Sequence, residues 1–103
     1  MKEELQKLNN LERNLRHIHE KKGFVDKKLF EINSALKNIT DNKKTYKVLG
    51  NFMVEIKSSE AVTDLKTKQN QLKKHLNKLS SEAKKAEKNI KELKEELTGD
   101  KGK

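Results

Sequence analysis

The chain contains no cysteine and no proline, and no long apolar run. Without cysteine there is neither a disulfide framework nor a thiolate metal site, which fits a reducing compartment. Without proline, nothing removes a backbone donor or clashes with the preceding turn, so long helices can run uninterrupted. No stretch approaches the about 18 apolar residues that would span a membrane. The N-terminal MKEELQKLNN has no apolar core. A signal peptide is therefore not expected, and the expected location is cytoplasmic. Apolar residues themselves are scarce, at 31% of 103 residues against 40% charged. That is too little for a conventional globular core, and the length allows at most one domain. Such a composition suits disorder or a coiled coil, and periodicity decides between them.

What is present is lysine and a regular seam. The net charge is +9, from 25 Lys and Arg against 16 Asp and Glu, and Arg13 and Arg16 are the only arginines. A basic chain can meet nucleic acid or an acidic partner. Here, however, the charges are mixed in sign along the whole length, as on solvated helix faces.

Stepping alternately by three and four, Leu8, Leu11, Leu15, Ile18, Lys22, Val25, Leu29, Ile32, Leu36 and Ile39 fall in one register. This is the seam of a coiled coil, where knobs of one helix enter holes of another. Lys22 interrupts it and Gly23 follows, which predicts a soft spot or bend, since glycine costs about 1 kcal/mol inside a helix. The polar run Thr40–Lys44 ends the first helix, because Thr, Asp and Asn side chains compete for nearby backbone groups. A second seam begins after Ser58, Ser59 and Glu60, which suit a helix start. It comprises Val62, Leu65, Gln69, Leu72, Leu76, Leu79, Ala83, Ala86, Ile90, Leu93 and Leu97, with Gln69 its only polar member. Gly99 is the expected stop, and residues 99–103 the expected frayed tail.

Between the helices, residues 45–57 alone read as β. Tyr46, Val48, Phe52, Val54 and Ile56 are β-branched or aromatic. Gly50 and Asn51 tolerate positive φ and can form a two-residue turn. That turn pairs Leu49 with Phe52, Val48 with Met53 and Lys47 with Val54. One face then carries Leu49, Phe52, Val54 and Ile56, and the other Tyr46, Val48 and Met53. Both faces are largely apolar. A lone two-stranded hairpin is marginal in water, so this one requires cover, most simply from hairpins of other chains in one sheet or barrel.

Folding back at Gly50-Asn51 makes antiparallel partners sum to 101, and every position of the first seam then faces a position of the second, from Leu8 with Leu93 to Ile39 with Val62. The expected fold is mostly α: a long intramolecular antiparallel coiled coil, roughly 60 Å for forty residues, with one β-hairpin at the fold-back that joins an oligomeric β-barrel. Residues 1–40 form the first helix, 45–57 the hairpin and 59–98 the second helix.

Catalytic chemistry is missing from the pattern. His17 and His19 are two apart and point to different sides of a helix. HIHEKK is not HExxH, since Gly23 stands where the second His would be. The tail GDKGK lacks the spacing and the Ser or Thr of a P-loop. No enzyme activity, metal or cofactor is expected.

The run from Glu31 to Lys66 carries a resemblance. Ala35-Leu36, a polar break, Tyr46-Lys47-Val48-Leu49-Gly50-Asn51, the alternation at Phe52, Met53 and Val54, and a Ser/Glu-led second helix at Ser58–Glu60 resemble prefoldin of the β, single-hairpin class. This class includes the archaeal β subunit and eukaryotic prefoldin subunit 6. The resemblance implies a subunit of an ATP-independent hexameric chaperone, whose other members include two-hairpin α-class subunits. It implies that hairpins build a β-barrel body, that coiled-coil tips hold unfolded client proteins, and that these pass to a group II chaperonin. On that reading Tyr46, Val48, Leu49, Gly50, Asn51, Phe52, Met53, Val54 and Ile56 carry oligomerisation. Leu5, Leu8, Leu11, Ile90, Leu93 and Leu97 are the tip candidates, with Leu5 off the seam and the most exposed.

Two other readings use the same residues. One is a basic helical hairpin binding nucleic acid through Lys21-Lys22, Lys27-Lys28, Lys73-Lys74 and Lys84-Lys85, with steeply salt-dependent affinity. It leaves the apolar hairpin without a use and lacks the stacking aromatics of single-strand binders. The other is a purely structural coiled-coil tether.

Overall fold

The computed structural model describes residues 2–40 and 42–99. Residue 41 of the expected helix-ending break, and residues 100–103 of the expected tail, lie outside that range. The elements in order are α1 (Lys2–Asn38), β1 (Thr45–Leu49), β2 (Phe52–Ile56) and α2 (Ser58–Thr98). Carboxylates at Glu3, Glu4 and Glu60 stand in the first turns of the helices and Lys37 in the last turn of α1. Each charge there complements the helix dipole. α1 runs unbroken through Lys22 and Gly23, where Lys22 is half-buried. A Cβ placed on Gly23 would meet nothing within 4 Å.

The chain divides into two compact units. One contains the residues up to Phe24 and those from Leu76 onward; the other is Val25–His75. In the first, Leu79, Ala83, Ile90 and Leu93 are buried. Leu8, Leu11, Leu15, Ile18, Ala86 and Leu97 are half-buried. Across this seam the Lys94 ammonium lies 3.8 Å from the Glu12 carboxylate, and His19 Nε2 lies 4.0 Å from Glu87. The two pairs are one heptad apart on each helix and run in opposite directions, which makes the segments antiparallel in one register. Both pairs are exposed and stabilise little by themselves. Burial of the aliphatic seam dominates, at roughly 1.5–3 kcal/mol for each fully covered large side chain.

In the second unit Val25 and Ala61 are buried. Leu29, Ile32, Leu36, Ile39, Val62, Leu65 and Leu72 are half-buried. Gln69, the polar member of the α2 seam, donates from Nε2 to Asn33 Oδ1 at 2.6 Å. A polar seam residue with a partner on the opposite helix favours one register over its slipped alternatives, because slippage strands the amide.

The hairpin pairs Thr45 with Ile56, Tyr46 with Glu55, Lys47 with Val54, Val48 with Met53 and Leu49 with Phe52. Gly50 has φ +60°, and no non-glycine described residue has positive φ. The turn thus has one left-handed residue, at its first central position, which is the type II′ pattern. Gly50 alone supplies the left-handed conformation; Asn51 does not share it.

The start of α2 differs from the expected serine cap. The first helical hydrogen bond runs from Ala61 N–H to Lys57 C=O, which places Lys57 at the cap position. Ser58 Oγ instead donates to Thr40 C=O at 3.2 Å and lies 3.3 Å from Thr45 Oγ1. It ties the segment just after α1 and the start of β1 to the start of α2. At the other end Gly99, at φ +72°, terminates α2, with its N–H on Glu95 C=O at 3.0 Å.

Gly23→Ala is expected to raise stability by about 1 kcal/mol, because the site is helical and open. The thermal midpoint followed by far-UV circular dichroism then rises by about 5 °C. Gly50→Val should lower it, since a left-handed β-branched residue costs about 1–2 kcal/mol.

Candidate assembly and client-binding surfaces

Alternation along β1 and β2 sends successive side chains to opposite faces of a sheet only two strands wide. With no second layer among the described residues, both faces stay open. Tyr46, Val48, Leu49, Phe52, Met53 and Val54 are all exposed, Phe52 most of all at 74%. Ile56 differs: it is half-buried, at the root where the strands meet the helices. The hairpin thus concentrates six large exposed apolar side chains in ten strand residues. Outside it, only Leu5, Phe24 and Phe30 join them among the described residues. An apolar cluster of this kind marks an interaction surface.

At the root of the hairpin lies an open groove of about 740 Å³. Its floor is made by Ala35 of α1 and Ile39 just after it, Tyr46 of β1, Ile56 of β2, and Ala61 and Leu65 of α2. Lys43, Lys44, Lys47 and Lys68 stand on its rim, with Asp64 the only acidic lining residue among the described residues. Lys44 Nζ is 3.9 Å from Glu55. Sequence spacing did not isolate this groove, because its walls come from four elements. The one hint was alanine at positions 35 and 61, where small side chains leave room.

The first unit brings residues from near both ends of the sequence together. Leu5 is 48% exposed and Leu8, Leu11 and Leu97 are half-buried, whereas Ile90 and Leu93 are each 8% exposed. Leu11 and Leu93 line a groove of about 290 Å³ with Lys7, Asn89, Glu92 and Glu96. On another side, Leu15 and Ile90 line one of about 410 Å³ with Lys91, Lys94 and Thr98. Leu15 was not among the tip candidates, although its seam position next to Leu11 could have suggested it. Ile90 and Leu93 are packed in the seam, so a ligand reaches them only along these grooves or when the last turns separate.

Phe24 and Phe30 on α1 are 63% and 72% exposed. Seam counting passes over them because they stand outside the three-four register. The three histidines do not converge. His17 Nδ1 lies 3.7 Å from Glu20 and His19 faces Glu87. Among the described residues no group of three His, Cys, Asp or Glu is placed to hold a metal. Among the same residues no helix is long and apolar enough to cross a membrane.

Two helices that return on each other through a single, doubly apolar hairpin define a single-hairpin coiled-coil subunit. The chain belongs to the prefoldin subunit family, whose model matches residues 2–103. Its fold is similar to the prefoldin beta subunit from Thermococcus strain KS-1, with a TM-score of 0.86 and 27% identity, covering 99% of this chain and 92% of that one. It is also similar in fold to the prefoldin beta2 subunit of the same strain, with a TM-score of 0.77 and 22% identity, covering 86% of this chain and 98% of that one. These likenesses and the single hairpin agree with the β class. No curated protein matches by sequence.

The seam and the exposed candidates respond differently to truncation. Leu93→Ala is expected to cost about 2–4 kcal/mol, whereas Leu5→Ala stays within about 0.5 kcal/mol. Denaturant titration of the two variants checks the ranking.

Proposed function

We propose that this chain is a subunit of an ATP-independent holdase of the prefoldin type, assembling through its hairpin and holding unfolded proteins at the coiled-coil end that contains Leu5, Leu8 and Leu11 of α1 and Ile90, Leu93 and Leu97 of α2. Membership of the prefoldin subunit family supports the chaperone-subunit role. The observation that carries the assembly half is the exposure of apolar side chains on both faces of β1 and β2. A hairpin of this kind is stable only when covered, and hairpins of other subunits offer both a matching apolar surface and unpaired strand edges. Tyr46, Val48, Leu49, Phe52, Met53 and Val54 form the contact on this reading. Gly50-Asn51 sets its turn, and Ile56 anchors its root.

The holding half rests on chemistry that is unselective by design. A client in a non-native state offers scattered apolar side chains, and shallow leucine-lined grooves beside a seam that can open accept these without shape matching. No nucleotide is needed, because binding and release follow from competition between client and seam for the same leucines. Transfer to a group II chaperonin, a hexameric assembly with two-hairpin α-class partners and a cytoplasmic location complete the proposal.

Phe52→Asp or Val54→Asp should abolish assembly with a two-hairpin prefoldin subunit, read as mass by light scattering, while helix content by circular dichroism stays near that of the parent. Trimming before Leu11 and after Ala86 should leave assembly in place and reduce suppression of aggregation of a denatured protein. Trimmed ends that protect clients normally would move the holding surface elsewhere. A parent chain that stays monomeric beside the partner and protects no client would overturn the whole reading.

A further inference from the structure

We infer that the groove at the hairpin root is the seat of a carboxylate-bearing apolar segment of the two-hairpin partner subunit, so that this surface selects an unlike neighbour over a second copy of the same chain. The inference rests on the assembly reading above and adds the chemistry of the partner.

The groove combines two features that a solvated helix face does not need together. Its floor is aliphatic, with Ile39 just after α1, Ile56 of β2 and Leu65 of α2. Among the described residues its rim is basic, with four lysines against one aspartate. Among the described residues Lys43, Lys47 and Lys68 have no ion-pair partner. An apolar floor excludes water from whatever sits on it, and charges at the edge of a dry contact are screened less than exposed ones. A complementary occupant therefore carries apolar side chains inward and Asp or Glu at its borders.

Two other occupants fit less well. A second copy brings the same lysine rim, and like charges facing each other disfavour that pairing. The chain as a whole carries +9, so mutual repulsion works in the same direction. A nucleic acid would satisfy the lysines, yet it has no use for the aliphatic floor, and Tyr46 is the only aromatic residue among the described residues lining the groove. The groove is also continuous with the exposed hairpin, because Tyr46 and Lys47 of β1 belong to both. A partner that pairs with the hairpin thus reaches the groove without a second docking event. The apolar hairpin supplies unselective cover; the lysine rim supplies the choice of neighbour.

The experiment is assembly of the full chain with a two-hairpin prefoldin subunit, measured as affinity by titration calorimetry between 50 and about 500 mM salt, for four proteins. These are the parent, the triple variant Lys43→Glu/Lys47→Glu/Lys68→Glu, the triple arginine variant at the same positions, and Phe52→Asp. The expected result is parent affinity that falls about tenfold or more with salt, a charge-reversed variant weakened at least about tenfold at low salt with an unchanged thermal midpoint, and an arginine variant close to the parent. If the charge-reversed variant binds like the parent and salt has no effect, the inference is overturned while the assembly reading stands, provided Phe52→Asp fails to bind. If the parent itself does not bind, or Phe52→Asp binds normally, the assembly reading falls and this inference with it. Light scattering of the parent alone covers self-association: a dimer that the charge reversal abolishes would assign the groove to a second copy and overturn the inference.

Discussion

The structure depends on keeping two apolar seams in phase through a turn of two residues. A knob-and-hole seam tolerates no slippage of one residue, because each helix would then present its lysines where its leucines belong. The hairpin holds that phase: its register runs from Leu49–Phe52 at the turn to Thr45–Ile56 at the root. Gly50 supplies the one left-handed residue the turn needs. Ser58 then ties the connection by reaching Thr40 and Thr45. Asn33 and Gln69 add a polar check on the same register within the second unit. None of these polar contacts stabilises much by itself; their effect is to make alternative registers worse.

The same arrangement explains why so few residues are deeply buried. Two helices cover only one stripe of each other, so most seam residues remain half-accessible and only a handful are closed off. The apolar material left over is not scattered. It is gathered in the hairpin, which has two faces and no second layer. Stability of the arms and availability of the hairpin are therefore separate properties, held by different residues. That separation lets an apolar surface be exposed without loosening the helices that carry it.

A net charge of +9 sets up repulsion between copies of the chain. At the hairpin root the charge has a more local meaning, because there it borders an apolar floor. Elsewhere lysines and glutamates interleave, as at Glu12–Lys94, and add little beyond solvation.

The sequence by itself determined the elements and their phase. Spacing alone marks Leu8 through Ile39 and Val62 through Leu97 as seams, and all of these positions are half-buried or buried. The hairpin pairs follow from one glycine and the alternation around it. These are one-dimensional properties: helix and strand periods are set by backbone geometry, and they can be counted along a chain. What only the tertiary structure decided has contributors from several elements at once. Ser58 leaves the cap to Lys57 because Thr40 and Thr45 are brought to its hydroxyl. Gln69 is tolerated in the seam because Asn33 arrives beside it. The root groove exists because Ala35 and Ala61 from different helices meet the end of β2 with space to spare. Ile90 and Leu93 close where Leu5 stays open, since coverage depends on what the opposite helix places over each residue, and no periodicity records that.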